Sequence, residues 1–202
     1  MNKERQEQVY AELDGLEIAY RKVDHPPLFT AADNEIHRVN IGAVIFKNLF
    51  LRNKDKSRYY LLSLPLNKRA DLRLVAELLS ETRFSFGNDE ELYAKLNIQP
   101  GSVSFLNVIG KPDTDVVFLI DSKVNDYDLI GVHPNDNTAT VIFAPREIPK
   151  IWAHYGVQYR YLDLDGMEYS AESEQIRRDT TAAALQATTV ENKSNPCKAW
   201  EC

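Results

Sequence analysis

The chain has 202 residues, 44% of them hydrophobic, 10% aromatic and 27% charged, with a net charge of −6. These values describe a soluble, folded chain of one domain with room for an appendage, and they exclude disorder of the whole chain and a general polyanion coat. No apolar run approaches the roughly 18 residues of a membrane span, and the first residues lack the hydrophobic stretch of a secretory signal, so the expected compartment is the cytoplasm, without a membrane partner.

Val9, Tyr10, Leu13 and Leu16 recur at three and four residues and predict an amphipathic helix over 4–16. Alternation over 18–23 predicts a strand that Pro26-Pro27 closes, and Thr30 is placed to cap a short helix after it. Two β-rich runs, 42–52 and 58–64, flank the polar loop Asn53-Lys54-Asp55-Lys56-Ser57 and predict a hairpin. Asp71 caps a helix over 71–80, 84–86 is a short strand, and Asn88 caps a helix over 89–96 that Pro100-Gly101 ends. Strands are predicted over 102–109, 116–121 and 139–143, with Pro145 opening a last helix through Trp152 to Tyr155. Strands and helices interleave, so the class is α/β or α+β. Residues 1–164 form the predicted domain; 165–202 offer little to bury and read as an appendage of weak helical tendency.

Most familiar chemistries are missing. Cys197 and Cys202 lie in the last six residues, and His25, His37, His133 and His154 have no zinc spacing. Asp126-Tyr127-Asp128 with Gly131 approaches a calcium loop, but its twelfth position is Asn137 instead of a bidentate glutamate. No nucleophile elbow, Walker loop or dinucleotide fingerprint occurs. No metal or other cofactor is expected.

Three features remain. Period-two alternation puts Ala43, Ile45, Lys47, Leu49 and Leu51 on one face and Asn48, Arg52 and the phenylalanines on the other. Lys47 then emerges among apolar neighbours; alternatively the strand begins at Asn48 and Lys47 snorkels to water. The turn His133-Pro134-Asn135-Asp136-Asn137-Thr138 concentrates polar groups, although a histidine can be purely structural and asparagines can serve turn geometry. Gly101 marks a loop or a helix stop. Lys54, Lys56 and Arg58, with Arg52, Lys68, Arg69 and Arg73, form the concentrated positive region where a nucleic acid would dock.

Lys47-Asn48-Leu49-Phe50-Leu51, Pro100-Gly101-Ser102-Val103-Ser104 and His133-Pro134-Asn135 with Asn137 and Thr138, together with His25-Pro26-Pro27-Leu28-Phe29-Thr30, Ser85-Phe86 and Ile120-Asp121, resemble the YbaK/ProX-like prolyl-tRNA editing domains. The likeness is to the branch that deacylates alanyl-tRNA(Pro). It implies a mixed, barrel-like sheet and hydrolysis of mischarged tRNA(Pro), with the tRNA acceptor end as partner and prolyl-tRNA synthetase as a second. It also implies Lys47 as the essential lysine, Gly101 as the start of a loop whose amides hold the aminoacyl carbonyl, and His133 as a pocket wall. Asn48, Ser102, Val103, Phe105, Asn135, Asn137 and Thr138 would contact the substrate, and Arg52, Lys54, Lys56, Lys68 and Arg69 the tRNA. The family loop commonly reads Gly-x-x-x-Pro, whereas Phe105 stands at its fifth position here. That departure keeps two alternatives in view: a non-catalytic binding module of the same fold, testable by Phe105→Pro, and a deacylase for serine or cysteine.

Overall fold

The structure, a computed structural model, describes residues 3–28 and 41–165. The predicted short helix after Pro27 and the C-terminal appendage lie outside these residues, apart from Asp165.

Helix α1 (Lys3–Gly15) buries Gln6, Val9, Tyr10 and Leu13 on one stripe, the face its periodicity marked. The strands among the described residues are β1 (Tyr20–Asp24), β2 (Val44–Asn53), β3 (Tyr59–Pro65), β4 (Phe84–Phe86), β5 (Val117–Asp121), β6 (Ile130–Val132), β7 (Ala139–Phe143) and β8 (Tyr159–Leu162). They form one mixed sheet in the order β1-β7-β6-β2-β3-β5-β8, with β4 further along the edge of β2 that β6 also pairs. The order runs from β1 to β8 without closing, so the barrel-like expectation is corrected to an open sheet.

Helix α2 (Leu72–Leu78) starts where the Asp71 carboxylate accepts from the Arg73 and Leu74 amides. Helix α3 (Asp89–Leu96) carries a capping box between Asn88 and Glu91 and stops at Asn97, whose φ of 52° satisfies the helix end before Pro100 is reached. The strand expected over 102–109 is absent. Asn107 Oδ1 accepts the Ser104 amide at 2.8 Å and Ser104 Oγ accepts the Leu106 amide at 3.2 Å, so local side-chain bonds turn the backbone into a short helix α4 (Asn107–Gly110). Helix α5 (Ile148–Tyr155) follows a 3-10 turn opened by Pro145. The short strands β6 and β8 were not predicted.

The sheet separates two apolar layers. Phe46, Phe50, Leu61, Phe118, Ile120, Val132, Val141 and Phe143 point to the main core with α1 and Trp152 of α5. Leu51, Tyr60, Leu62, Leu64 and Leu119 point the other way, under Val75 and Ala76 of α2. Beyond α2, the same outer face continues over β1, β7 and the start of β2 with Val23, Ile142 and Ile45. There the sheet opens into a cavity. Among the described residues no helix is long and apolar enough to cross a membrane.

Candidate active site

The cavity arises from how β2 divides its edge. Val44 and Ile45 pair in parallel with Ile130 and Gly131 of β6, whereas Leu51–Asn53 pair with β4. Between these stretches neither strand covers β2, and the loop after Pro100 fills the gap, with Asn48 Nδ2 donating to the Val103 carbonyl at 2.9 Å.

The parallel register explains which side chains meet. Ile45 faces Gly131, so the residues two further along each strand, Lys47 and His133, emerge side by side on the outer face. Both line a cavity of about 240 Å³, with Val23, His25, Gly101 and Thr140 among its other walls. That volume is below the roughly 300–1,000 Å³ of pockets for drug-sized ligands. It suits one end of a larger substrate.

Lys47 is half-buried, and its ammonium has no hydrogen-bond or ion-pair partner among the described residues. Burial holds its pKa below that of an ordinary lysine. His133 Nδ1 lies 3.2 Å from the Gly101 carbonyl, which can only accept, so Nδ1 carries the proton and Nε2 is an acceptor in the neutral ring. Burial first, then neighbouring His25, lowers the His133 pKa to about 4, against the Gly101 hydrogen bond and the charge of Asp136. The ring is therefore neutral at pH 7. His25 completes the wall: its Nδ1 donates to the Pro26 carbonyl and its Nε2 shares a hydrogen bond with the Thr140 hydroxyl, both at 2.9 Å, with its ring centroid 5.8 Å from that of His133. The cavity thus joins one under-compensated cation to one neutral acceptor, an arrangement suited to a polar, charge-bearing ligand group.

The family model for the aminoacyl-tRNA editing domain matches residues 25–151. The chain belongs to that family. It is accordingly an aminoacyl-tRNA hydrolase, with tRNA as its substrate class. It is 30% identical over 166 residues to the prolyl-tRNA editing protein ProX of Acetoanaerobium sticklandii, covering 81% of this chain and 100% of the relative. It is 27% identical over 145 residues to the prolyl-tRNA synthetase associated domain-containing protein 1 of Xenopus laevis, covering 70% and 86%. A crystal structure provisionally described as a trans-editing enzyme for prolyl tRNA synthetase shares the fold at a TM-score of 0.58 and 18% identity, over 79% of this chain and 96% of that one.

Within the editing domain the residues singled out from sequence divide into walls, supports and bystanders. Lys47, Asn48, Gly101, Val103 and His133 line the cavity. Ser102, Asn135, Asn137 and Thr138 stand behind them. Asn107 Nδ2 donates to Asn135 Oδ1 at 2.7 Å and to the Ser102 carbonyl at 3.3 Å, while Ser104 Oγ donates to the His133 carbonyl at 2.8 Å. Asn135 takes a φ of 58° in this turn. Asn137 Nδ2 sits against Gly101, whose φ of 87° keeps the loop bend a glycine position. Gln6 of α1 donates to Asp136 Oδ1 at 3.0 Å and to Thr138 Oγ1 at 2.9 Å, pinning the turn to the helix. Gln6 and Asn107 had no sequence signal; only folding reveals that they are buried beside the turn.

Three predicted contacts are corrected. Phe105 is fully buried and packs edge-on against Phe143 and Trp152 in the main core, away from the cavity; Phe105→Pro would remove core volume instead of repairing a binding loop. Lys68 is fully buried, its Nζ 2.8 Å from Asp121 Oδ2, and cannot reach a phosphate. Arg52 is bound to Glu91 and to Ser85 Oγ on the face opposite Lys47, where it ties β2 to β4 and α3. Lys54, Lys56 and Arg69 are exposed. The hairpin tip at Lys54 is seven residues along β2 from Lys47, roughly 23 Å at 3.3 Å per residue.

Proposed function

We propose that this editing domain acts in trans on mischarged tRNA(Pro), hydrolysing the ester of alanyl-tRNA(Pro), with prolyl-tRNA synthetase as the enzyme whose errors it clears. The observation that carries this reading is the meeting of Lys47, His133 and the Gly101 loop in one small cavity. The ProX and synthetase-associated relatives support proline tRNA as the carrier.

Hydrolysis of an aminoacyl ester joins a water oxygen to the carbonyl carbon and releases the ribose oxygen, which takes up the proton. The ester is already activated, so oriented donors and an ordered water suffice without a protein nucleophile. In the loop, the Ser102 amide is spent on the Gln99 carbonyl and the Ser104 amide on Asn107. Gly101 and Val103 are left to offer amides to the developing oxyanion. The Lys47 ammonium engages the phosphate or ribose of the terminal nucleotide, and His133 Nε2 accepts from the substrate ammonium.

Size supplies the selectivity. A synthetase site loses only about 1–3 kcal/mol per missing methylene and so admits alanine. Here Gly131 closes the cavity floor tightly: a Cβ at that position would sit 2.6 Å from Ile45 Cδ1 and 3.0 Å from Thr140 Cγ2. Incubation of the purified protein with alanyl-, seryl-, cysteinyl- and prolyl-tRNA(Pro) tests the reading. Alanine is released fastest and proline is spared; release of no amino acid above the buffer rate overturns it.

A further inference from the structure

Phe86 is 58% exposed, more than any other large apolar side chain among the described residues. Its partner in the β2–β4 ladder is Leu51, so its ring lies on the face that carries Lys47, Leu49 and Leu51. Four residues along the strand and one step across place it roughly 14 Å from Lys47. The exposed Lys54 and Lys56 lie further along the same hairpin. Phe86 therefore stands between the cavity and these lysines.

The core does not need this ring. Phe84, two residues earlier on the same face, is the buried aromatic of β4, packed edge-on against Tyr60 at 5.0 Å. The backbone around Phe86 is nevertheless held firmly. Arg52 Nε donates to Ser85 Oγ, the Gly87 amide donates to the Phe50 carbonyl at 3.0 Å, and Asn88 caps α3 directly afterwards. A fixed strand thus presents a flat apolar surface to water beside a tRNA-directed cavity.

We propose that Phe86 is a stacking platform for a nucleobase of the single-stranded acceptor end, which enters the cavity from the hairpin side. The inference rests on the deacylase reading and adds a binding position to it. A base suits the setting because one ring covers its face while neighbouring cations meet its phosphates. A protein partner needs about 800 Å² of surface on each side, far more than one ring.

The test uses the full chain and a single-stranded RNA ending in C-C-A, with pyrrolocytosine at either cytidine or 2-aminopurine at the end. The wild-type protein quenches at least one probe; Phe86→Ala abolishes the quenching and Phe86→Trp retains it. Base–aromatic stacking of the usual strength makes KM for alanyl-tRNA(Pro) rise at least about fivefold in Phe86→Ala with kcat unchanged. Unchanged quenching and KM overturn the proposal, as does a variant that loses only association with protein. Phe86-dependent quenching by a chain that hydrolyses no aminoacyl-tRNA supports the platform and refutes the deacylase reading, so the two failures are distinguishable.

Discussion

Lys68→Met separates a structural cation from a tRNA contact. Lys68 and Asp121 are both fully buried, with Nζ 2.8 Å from Oδ2, and methionine keeps most of the lysine volume. The substitution therefore removes a charge with little change in packing, and leaves the Asp121 carboxylate in an interior that cannot hydrate it. Breaking a buried pair this way costs about 3–5 kcal/mol. With a urea slope of roughly 2 kcal/mol per molar for a chain of this size, the unfolding midpoint falls by about 1.5–2.5 M. Lys68→Met combined with Asp121→Asn recovers most of that loss, because no buried charge remains and the carbonyl oxygen of the replacement side chain still accepts the Lys123 amide that Asp121 caps at 3.1 Å. Urea unfolding and filter binding of tRNA, run side by side, read both quantities. A midpoint shift below about 0.5 M together with weakened tRNA binding refutes the reasoning.

Further outcomes follow from the same geometry. His133 has a native pKa of about 4 against an ordinary 6.5, so the unfolded chain binds a proton that the native ring refuses. Its contribution to stability is whole above pH 6.5 and is lost as the pH falls through 6.5 towards 4. About 2 kcal/mol disappears between pH 7 and 5, and urea midpoints at both pH values show a smaller loss for His133→Gln; equal losses contradict this. Gly131→Ala drives the ends of Ile45 and Thr140 into the cavity, lowering kcat/KM for alanyl-tRNA(Pro) about tenfold through overpacking, while an unchanged rate places the substrate elsewhere. Asn107→Ala frees the Ser104 amide, the Ser102 carbonyl and Asn135 together. Stability falls by about 1–3 kcal/mol, and kcat falls with it because the cavity loop loses its brace; a variant with unchanged kcat denies that brace a role.

Local signals carried much of the fold. Asp71 and Asn88 announced their helices because a side-chain oxygen satisfying free amides is a short-range event. Period-two alternation put Lys47 opposite Phe46 and Phe50, and β2 extends well upstream of Asn48. Long-range partners were illegible. Lys68 looked like surface charge because Asp121 is 53 residues away, and Arg52 looked free because Glu91 lies on another element. The run 102–109 was expected to be a strand, but bonds from Ser104 and Asn107 turn its backbone instead. The three residues of β6 were too few to show a period, although their parallel pairing with β2 is what sets His133 beside Lys47.

The central claim is that the Lys47 ammonium is held in the cavity for the substrate and not for the fold. Deacylation of alanyl-tRNA(Pro) by Lys47→Met, with urea unfolding of the same sample, tests it most directly. Turnover falls a hundredfold or more, while the midpoint holds or rises because a half-buried cation has been replaced by an apolar chain. Wild-type turnover by a folded Lys47→Met protein contradicts the account.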